Sequence, residues 1–161
     1  MHISCDDVMK KKISESKSVL SQVMLPSHAN PRGTVHGGEI MKLMDTCGGV
    51  AAKRHSRRSI VTVRVDELVF YEPIHVGELV ICEAQLVFTG RTSMEVQVTI
   101  KVEDLNKDQP ARSALSAYFT YVALDERGKP CGVPELLTET SHEKERCEER
   151  RQNYLNRKKR G

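Results

Sequence analysis

Asn30-Pro-Arg-Gly-Thr-Val-His-Gly-Gly-Glu-Ile-Met-Lys-Leu-Met-Asp45 is the stretch that decides the fold. Its first half is rich in turn formers, with Pro31 restricting the backbone and Gly33 relaxing it, which predicts a loop. Its second half opens a helix expected from Gly37 to His55. Ile40, Leu43, Met44, Cys47 and Ala51 form a stripe at the spacing a helix needs to cover a core. At roughly 100° per residue, Asp45 falls off that stripe, beside Met41, Gly48 and Ala52. A carboxylate among a methionine and two very small residues is not a typical solvated face. It fits a close contact, with another chain or with a ligand.

Downstream of the helix, the polar exit Arg54-His-Ser-Arg-Arg58 leads into β-type sequence. Ile60 to Tyr71 is rich in β-branched and aromatic residues, with Val61, Val63 and Val65 on one face. Its alternation slips at Asp66 and Glu67, as a bulge would make it. After the turn between Pro73 and Gly77, Glu78 to Thr89 alternates through Val80, Cys82, Ala84, Leu86 and Phe88. Beyond Gly90, Met94 to Val102 sets apolar residues on one face against Glu95, Gln97, Thr99, Lys101 and Glu103. Ser113 to Leu124 follows after a polar loop. Upstream, Ser16 to Leu25 reads as a strand ended by Pro26, and Met1 to Ile13 reads as loose.

One strand, one long helix and then long strands with short links exclude repeated parallel crossovers. The order predicts an α+β unit, a curved antiparallel sheet wrapped around one long central helix. Ile81, Val87, Tyr118 and Val122 would lie on the far face, and edge strands would stay open. Both features favour oligomers.

Composition narrows the class. With 161 residues, 39% apolar and 29% charged, the chain suits one soluble domain. No window approaches the ~20 apolar residues of a membrane span, and the start of the chain lacks the apolar core of a secretory signal. Five cysteines without CxxC or zinc-type spacing read as free thiols in a reducing compartment. His28, His36 and Cys47 fit no common metal spacing. The net charge of +3 is uneven, because Glu143 to Arg160 holds eight basic and four acidic residues, leaving −1 elsewhere. A near-neutral fold argues against nucleic acid as its main partner. The expected division is a domain over 1–134 and a charged helix with a basic tail over 135–161, fraying at Arg157-Lys-Lys-Arg160.

Several motifs in fixed order carry a resemblance: Leu25-Pro, Asn30-Pro-Arg-Gly-Thr, His36-Gly-Gly, Met44-Asp45, Val61-Thr-Val-Arg-Val-Asp66, Pro73-Ile-His-Val-Gly77, Gly90-Arg-Thr-Ser-Met-Glu95 and Phe119-Thr-Tyr-Val-Ala-Leu-Asp-Glu-Arg-Gly-Lys-Pro130. Over residues 14 to 130 the chain resembles the hotdog-fold acyl-CoA thioesterases, in the group of brain-type cytosolic enzymes and their small bacterial relatives. The family usually has Phe or Leu where His36 stands. The resemblance implies a cytoplasmic acyl-CoA hydrolase that needs no cofactor or metal, with coenzyme A as part of its substrate. It implies a homodimer as the minimal unit, assembled as a trimer of dimers into a homohexamer, with no nucleic-acid or membrane partner. It makes Asn30 and Asp45 the catalytic pair, drawn from opposite chains, with Asp45 as general base or nucleophile and Asn30 orienting water or carbonyl.

Amides at Gly37 and Gly38, at the positive end of the helix, suit a developing oxyanion. The Gly90-Arg91-Thr92-Ser93 turn resembles the family's nucleotide contact, with Arg91 for phosphate, while Arg54 and His55 would add positive charge nearby. Two other readings stay open: a hydratase or dehydratase on acyl thioesters using His36, and a non-catalytic acyl-CoA-binding protein.

Overall fold

The computed structural model describes residues 9–161. In chain order the elements are β1 (Lys10–Lys12), β2 (Ser18–Val23), α1 (Gly37–Ser56), β3 (Ser59–Phe70), β4 (Leu79–Thr89), β5 (Ser93–Glu103), β6 (Arg112–Leu124), β7 (Glu135–Leu137) and α2 (Ser141–Arg160). Five strands form one antiparallel sheet in the order β2-β4-β5-β6-β3. Its concave face wraps α1, whose Ile40, Met44, Cys47 and Ala51 are fully enclosed against sheet residues such as Val98 and Phe119. This is the expected hotdog architecture, with the single apolar helix at its centre. The helix ends where Arg57 enters the left-handed region at φ 53°, its N–H closing on the Lys53 carbonyl at 2.7 Å.

The pairing register corrects several sequence-based expectations. Thr62 pairs with Tyr121 and Arg64 with Thr120, so Val63 is an extra residue bulged out of β3. Cross-strand pairs share a face, which turns Thr62 inward with Tyr121 and sets Val61, opposite Val122, on the outer face. Val61, Val63 and Val65 therefore do not form one continuous face. The slip anticipated at Asp66 and Glu67 is present, with the register shifting between Asp66 and Val69 and Glu67 at φ 53°. β4 carries another bulge, between Leu86 and Phe88. It sends Phe88 to the outer face beside Glu95, where it meets Tyr154 of α2 with ring centroids 5.2 Å apart.

The C-terminal segment is integrated into the fold. β7 pairs in parallel with β1, so Lys10–Lys12 are strand where the sequence reads as loose. Residues 1–8, including Cys5, lie outside the described residues. α2 starts at a capping box in which the Thr140 hydroxyl accepts from Glu143 N–H while the Glu143 carboxylate accepts from Thr140 N–H. The helix remains regular to Arg160 rather than fraying at Arg157. It lies on the outer face of the sheet, held by Arg150, which is 1% exposed and paired with Glu95, itself 2% exposed. The Arg150 guanidinium stacks 3.7 Å from the Tyr118 ring and reaches Glu67 at 3.0 Å. Charges expected in solvent are the anchors of this helix.

Candidate active site

The loop from Ala29 to Val35 is closed by its own hydrogen bonds. Asn30 Oδ1 accepts from Arg32 N–H at 2.9 Å and Thr34 N–H at 3.3 Å, and Asn30 Nδ2 donates to Thr34 Oγ1 at 2.9 Å. The side chain thus forms an Asx-type turn and retains one amide hydrogen to offer elsewhere. The loop is fixed to the turn before β4, where Val35 N–H donates to Ile74 C=O at 2.7 Å and Thr34 bridges His75. That turn is held in its own right by charge. Glu78 accepts from Arg112 at 2.6 Å and from His75 N–H at 2.8 Å. The Arg112 guanidinium above all, with the His75 hydrogen bonds against the cost of burial, holds the Glu78 carboxyl down at about 2.

His36 caps α1. Its Nδ1 accepts from Gly38 N–H at 3.2 Å, while its own N–H donates to His28 C=O at 2.8 Å. Of the two glycine amides expected at the helix mouth, only that of Gly37 has no partner among the described residues. Gly38 is occupied by the cap, so it is not a free oxyanion donor in this arrangement. The half-exposed Phe70 ring covers Gly37, standing 3.6 Å from where a Cβ would lie.

Asp45 is half-buried where α1 meets β3, the unpaired edge of the sheet. Oδ1 accepts from Thr62 Oγ1 at 2.7 Å and from Tyr121 OH at 3.2 Å. The same single O–H is shared with the Asp45 main-chain carbonyl, 3.0 Å away, as a bifurcated bond. Oδ2 receives no hydrogen bond from the described residues. Burial first, and then the neighbouring carboxylate, push the Tyr121 phenol above its ordinary range, so it stays protonated and remains a donor. No hydrogen bond joins Asn30 to Asp45 within one chain.

Thr62 and Tyr121 escaped the sequence reading. Strict alternation through Val61, Val63 and Val65 hides which face Thr62 takes, and Tyr121 reads as an apolar core position.

The expected nucleotide contacts separate. The turn after β4 is closed by Gly90 N–H donating to Ser93 C=O at 2.9 Å. The carbonyls of Arg91 and Thr92 accept from Val133 and Ala123, each at 3.0 Å, which fixes the loop. Arg91 is exposed and in no ion pair among the described residues. Ser93 opens β5 one position before Met94, which pairs with Tyr121, itself paired with Thr62. At ~4.8 Å per strand, this turn lies roughly 10 Å across the sheet from the β3 edge. Arg54 is engaged with the Lys17 carbonyl. His55 is fully buried, its Nε2 2.7 Å from the Pro134 carbonyl. Burial above all lowers its pKa, so its ring is neutral at neutral pH and closed to a phosphate. His55 therefore leaves the set of nucleotide contacts. Among the described residues, no group of three or more His, Cys, Asp and Glu side chains is placed to hold a metal ion, and no helix is long and apolar enough to cross a membrane.

A single long helix wrapped by a five-stranded antiparallel sheet is the hotdog architecture. The family model described as the thioesterase superfamily matches residues 32–108. The cytosolic acyl coenzyme A thioester hydrolase of Rattus norvegicus is 40% identical over 144 residues, covering 89% of this chain and 38% of its own length. The acyl-CoA thioester hydrolase YciA of Escherichia coli (strain K12) is 33% identical over 124 residues, covering 76% of this chain and 94% of its own. Among solved structures, an apo-hexameric acyl-CoA thioesterase superposes with a TM-score of 0.89 at 31% identity, covering 95% of this chain and 97% of that one. The Staphylococcus aureus acyl-CoA hydrolase, solved with butyryl coenzyme A, coenzyme A and coenzyme A disulfide, gives 0.85 at 32% identity, covering 94% and 92%. The chain belongs to this family, in its acyl-CoA thioester hydrolase group. It spans about 38% of the length of the mammalian relatives it matches.

Proposed function

We propose that the protein hydrolyses acyl-CoA thioesters to a free fatty acid and coenzyme A, with a composite site shared between two copies. The observation that carries this reading is the Asp45 carboxylate, held by two hydroxyl donors at the open β3 edge with one oxygen left free. A second copy laid along β3 would cover the exposed Val61, Val63 and Val65 and bring its Asn30 loop to this carboxylate. Asn30 has one N–H to offer and no free acceptor role, which suits donation to the thioester carbonyl. Gly37 N–H, at the positive end of α1, takes the same developing oxyanion. Asp45 removes a proton from water as the water oxygen bonds to the carbonyl carbon; in the alternative route its carboxylate attacks that carbon, and once the thiolate has left, water cleaves the mixed anhydride to the free acid and Asp45. Collapse breaks the C–S bond and releases coenzyme A as its thiolate. Arg91, with Thr92 and Ser93 beside it, is placed for a phosphate of the nucleotide.

Relatives described as cytosolic, and one solved as a hexamer, support a cytoplasmic enzyme assembled as a trimer of dimers. His36 spends Nδ1 on the helix cap, which weighs against a hydratase that relies on that histidine. The structures of the S. aureus relative include separate alanine variants of an asparagine, an aspartate and a threonine. In that relative the three residues are spaced 15 and 17 apart, the spacing of Asn30, Asp45 and Thr62 here.

The test is free-thiol release from a panel of short to long acyl-CoAs. Asp45→Ala and Asn30→Ala should each lower kcat by about 10²- to 10⁴-fold, the range for a general acid–base group. Co-assembling the two inactive variants should restore turnover, because each mixed dimer then holds one intact site. A wild-type protein that binds acyl-CoA without releasing thiol would overturn the hydrolase reading. Failure of the mixture to recover would place both residues in one chain's site.

A further inference from the structure

We infer that Tyr121 is a positioning residue for hydrolysis, which together with Thr62 ties down Oδ1 and the main chain of Asp45 and so selects Oδ2 as the reacting oxygen. This rests on the thioesterase reading and asks how that carboxylate is aimed. A free aspartate presents two equivalent oxygens and rotates about its terminal bond. Here rotation is opposed from two strands, with Thr62 of β3 at 2.7 Å and Tyr121 of β6 at 3.2 Å on the same oxygen. The Tyr121 O–H is shared between Oδ1 and the Asp45 carbonyl, 3.0 Å away, so one hydroxyl registers helix and side chain together.

The phenol reaches this position only because residue 48 has no side chain. A Cβ on Gly48 would stand 2.5 Å from the Tyr121 oxygen and 3.1 Å from Val98 Cγ2. The small residue one turn beyond Asp45 is thus the opening through which the hydroxyl passes. Tyr121 itself is 1% exposed and packed in the central core, so its ring cannot swing away. The other titratable groups near the phenol are the thiols of Cys47 on α1 and Cys82 on β4. β3 contributes only the non-ionising Thr62 to the carboxylate.

Tyr121→Phe keeps the ring and deletes the hydroxyl. The expected result on the full chain is a fall in kcat of roughly 10-fold with KM for a short acyl-CoA unchanged. Gly48→Ala keeps the tyrosine and displaces its hydroxyl, and should reproduce that result. In the Tyr121→Phe background the Gly48 change should add little further loss of kcat, because the two act through one contact.

If both variants keep wild-type kcat while Asp45→Ala is inactive, this inference fails and the hydrolase reading stands. If they lose kcat and raise KM together, the hydroxyl serves packing alone and the inference fails as well. A wild-type chain inert toward every acyl-CoA would instead remove the reading beneath it.

Discussion

Two helices of 20 residues each lie on opposite faces of one sheet and are held there by different physics. α1 buries Ile40, Met44, Cys47 and Ala51 in the concave face. Such burial is strong but nearly directionless, since apolar contact fixes that a helix is covered more than where each atom points. The one atom group on α1 that must be aimed, the Asp45 carboxylate, is aimed separately by Thr62 and Tyr121. α2 has a single fully buried residue, Arg150, and that residue is a cation. Its inward row of Arg146, Arg150, Tyr154 and Arg157 meets Tyr118, Glu95, Phe88 and Asp66 in turn. Position on this face is therefore set by specific charge pairs, and the depth of burial is secondary. One helix is located by its packing and the other by its partners.

The comparison can be broken most directly at Arg150. Arg150→Ala leaves Glu95 buried with Arg157, 3.4 Å away, as its remaining cation. Losing one partner of a buried pair costs about 3–5 kcal/mol, which chemical denaturation would register. Arg150→Met combined with Glu95→Leu should regain most of that loss, since a buried pair replaced by apolar side chains is often neutral or better. A loss below ~1 kcal/mol for the single change would reduce α2 to a surface attachment.

On α1, Met44→Ala should cost about 2–5 kcal/mol through a cavity, with denaturation curves shifted equally at low and high salt. Salt sensitivity there would contradict purely apolar anchoring.

Acid tests the loop that is tied by charge. The Glu78 carboxyl is lowered from 4.5 to about 2 by its Arg112 and His75 hydrogen bonds. Its contribution is complete above about 4.5 and is lost as pH falls toward 2. Urea midpoints measured between pH 6 and pH 2.5 should fall less steeply in Glu78→Gln than in the wild type.

Much of the architecture was legible because it rests on periodicity. The helix stripe, the alternation of β4 to β6 and the Asp66–Glu67 bulge are all written in residue order. What escaped was phase. A bulged residue at Val63 and another between Leu86 and Phe88 each reverse a strand's faces without any proline or glycine to announce it. The face of Thr62 and the outward turn of Phe88 were hidden thereby, while Glu95 keeps its expected outer face and is buried by α2. His55 and the arginines of α2 were misplaced for a related reason, because polar residue type says nothing of a partner that arrives from a distant strand. Asn30 and Asp45 stood out through motif and small neighbours, whereas Tyr121 had no local signal and is defined by its pairing with Thr62.

The β3 edge has a further consequence for behaviour at high concentration. An open strand with valines on it would template the addition of foreign strands and lead to aggregation if it were straight. Here Val63 and the Asp66–Val69 shift interrupt the strand twice within its 12 residues. A flat incoming strand would find no long regular ladder, whereas a strand with the same two interruptions could match them. The bulge that turns Thr62 toward Asp45 therefore also protects the protein's solubility.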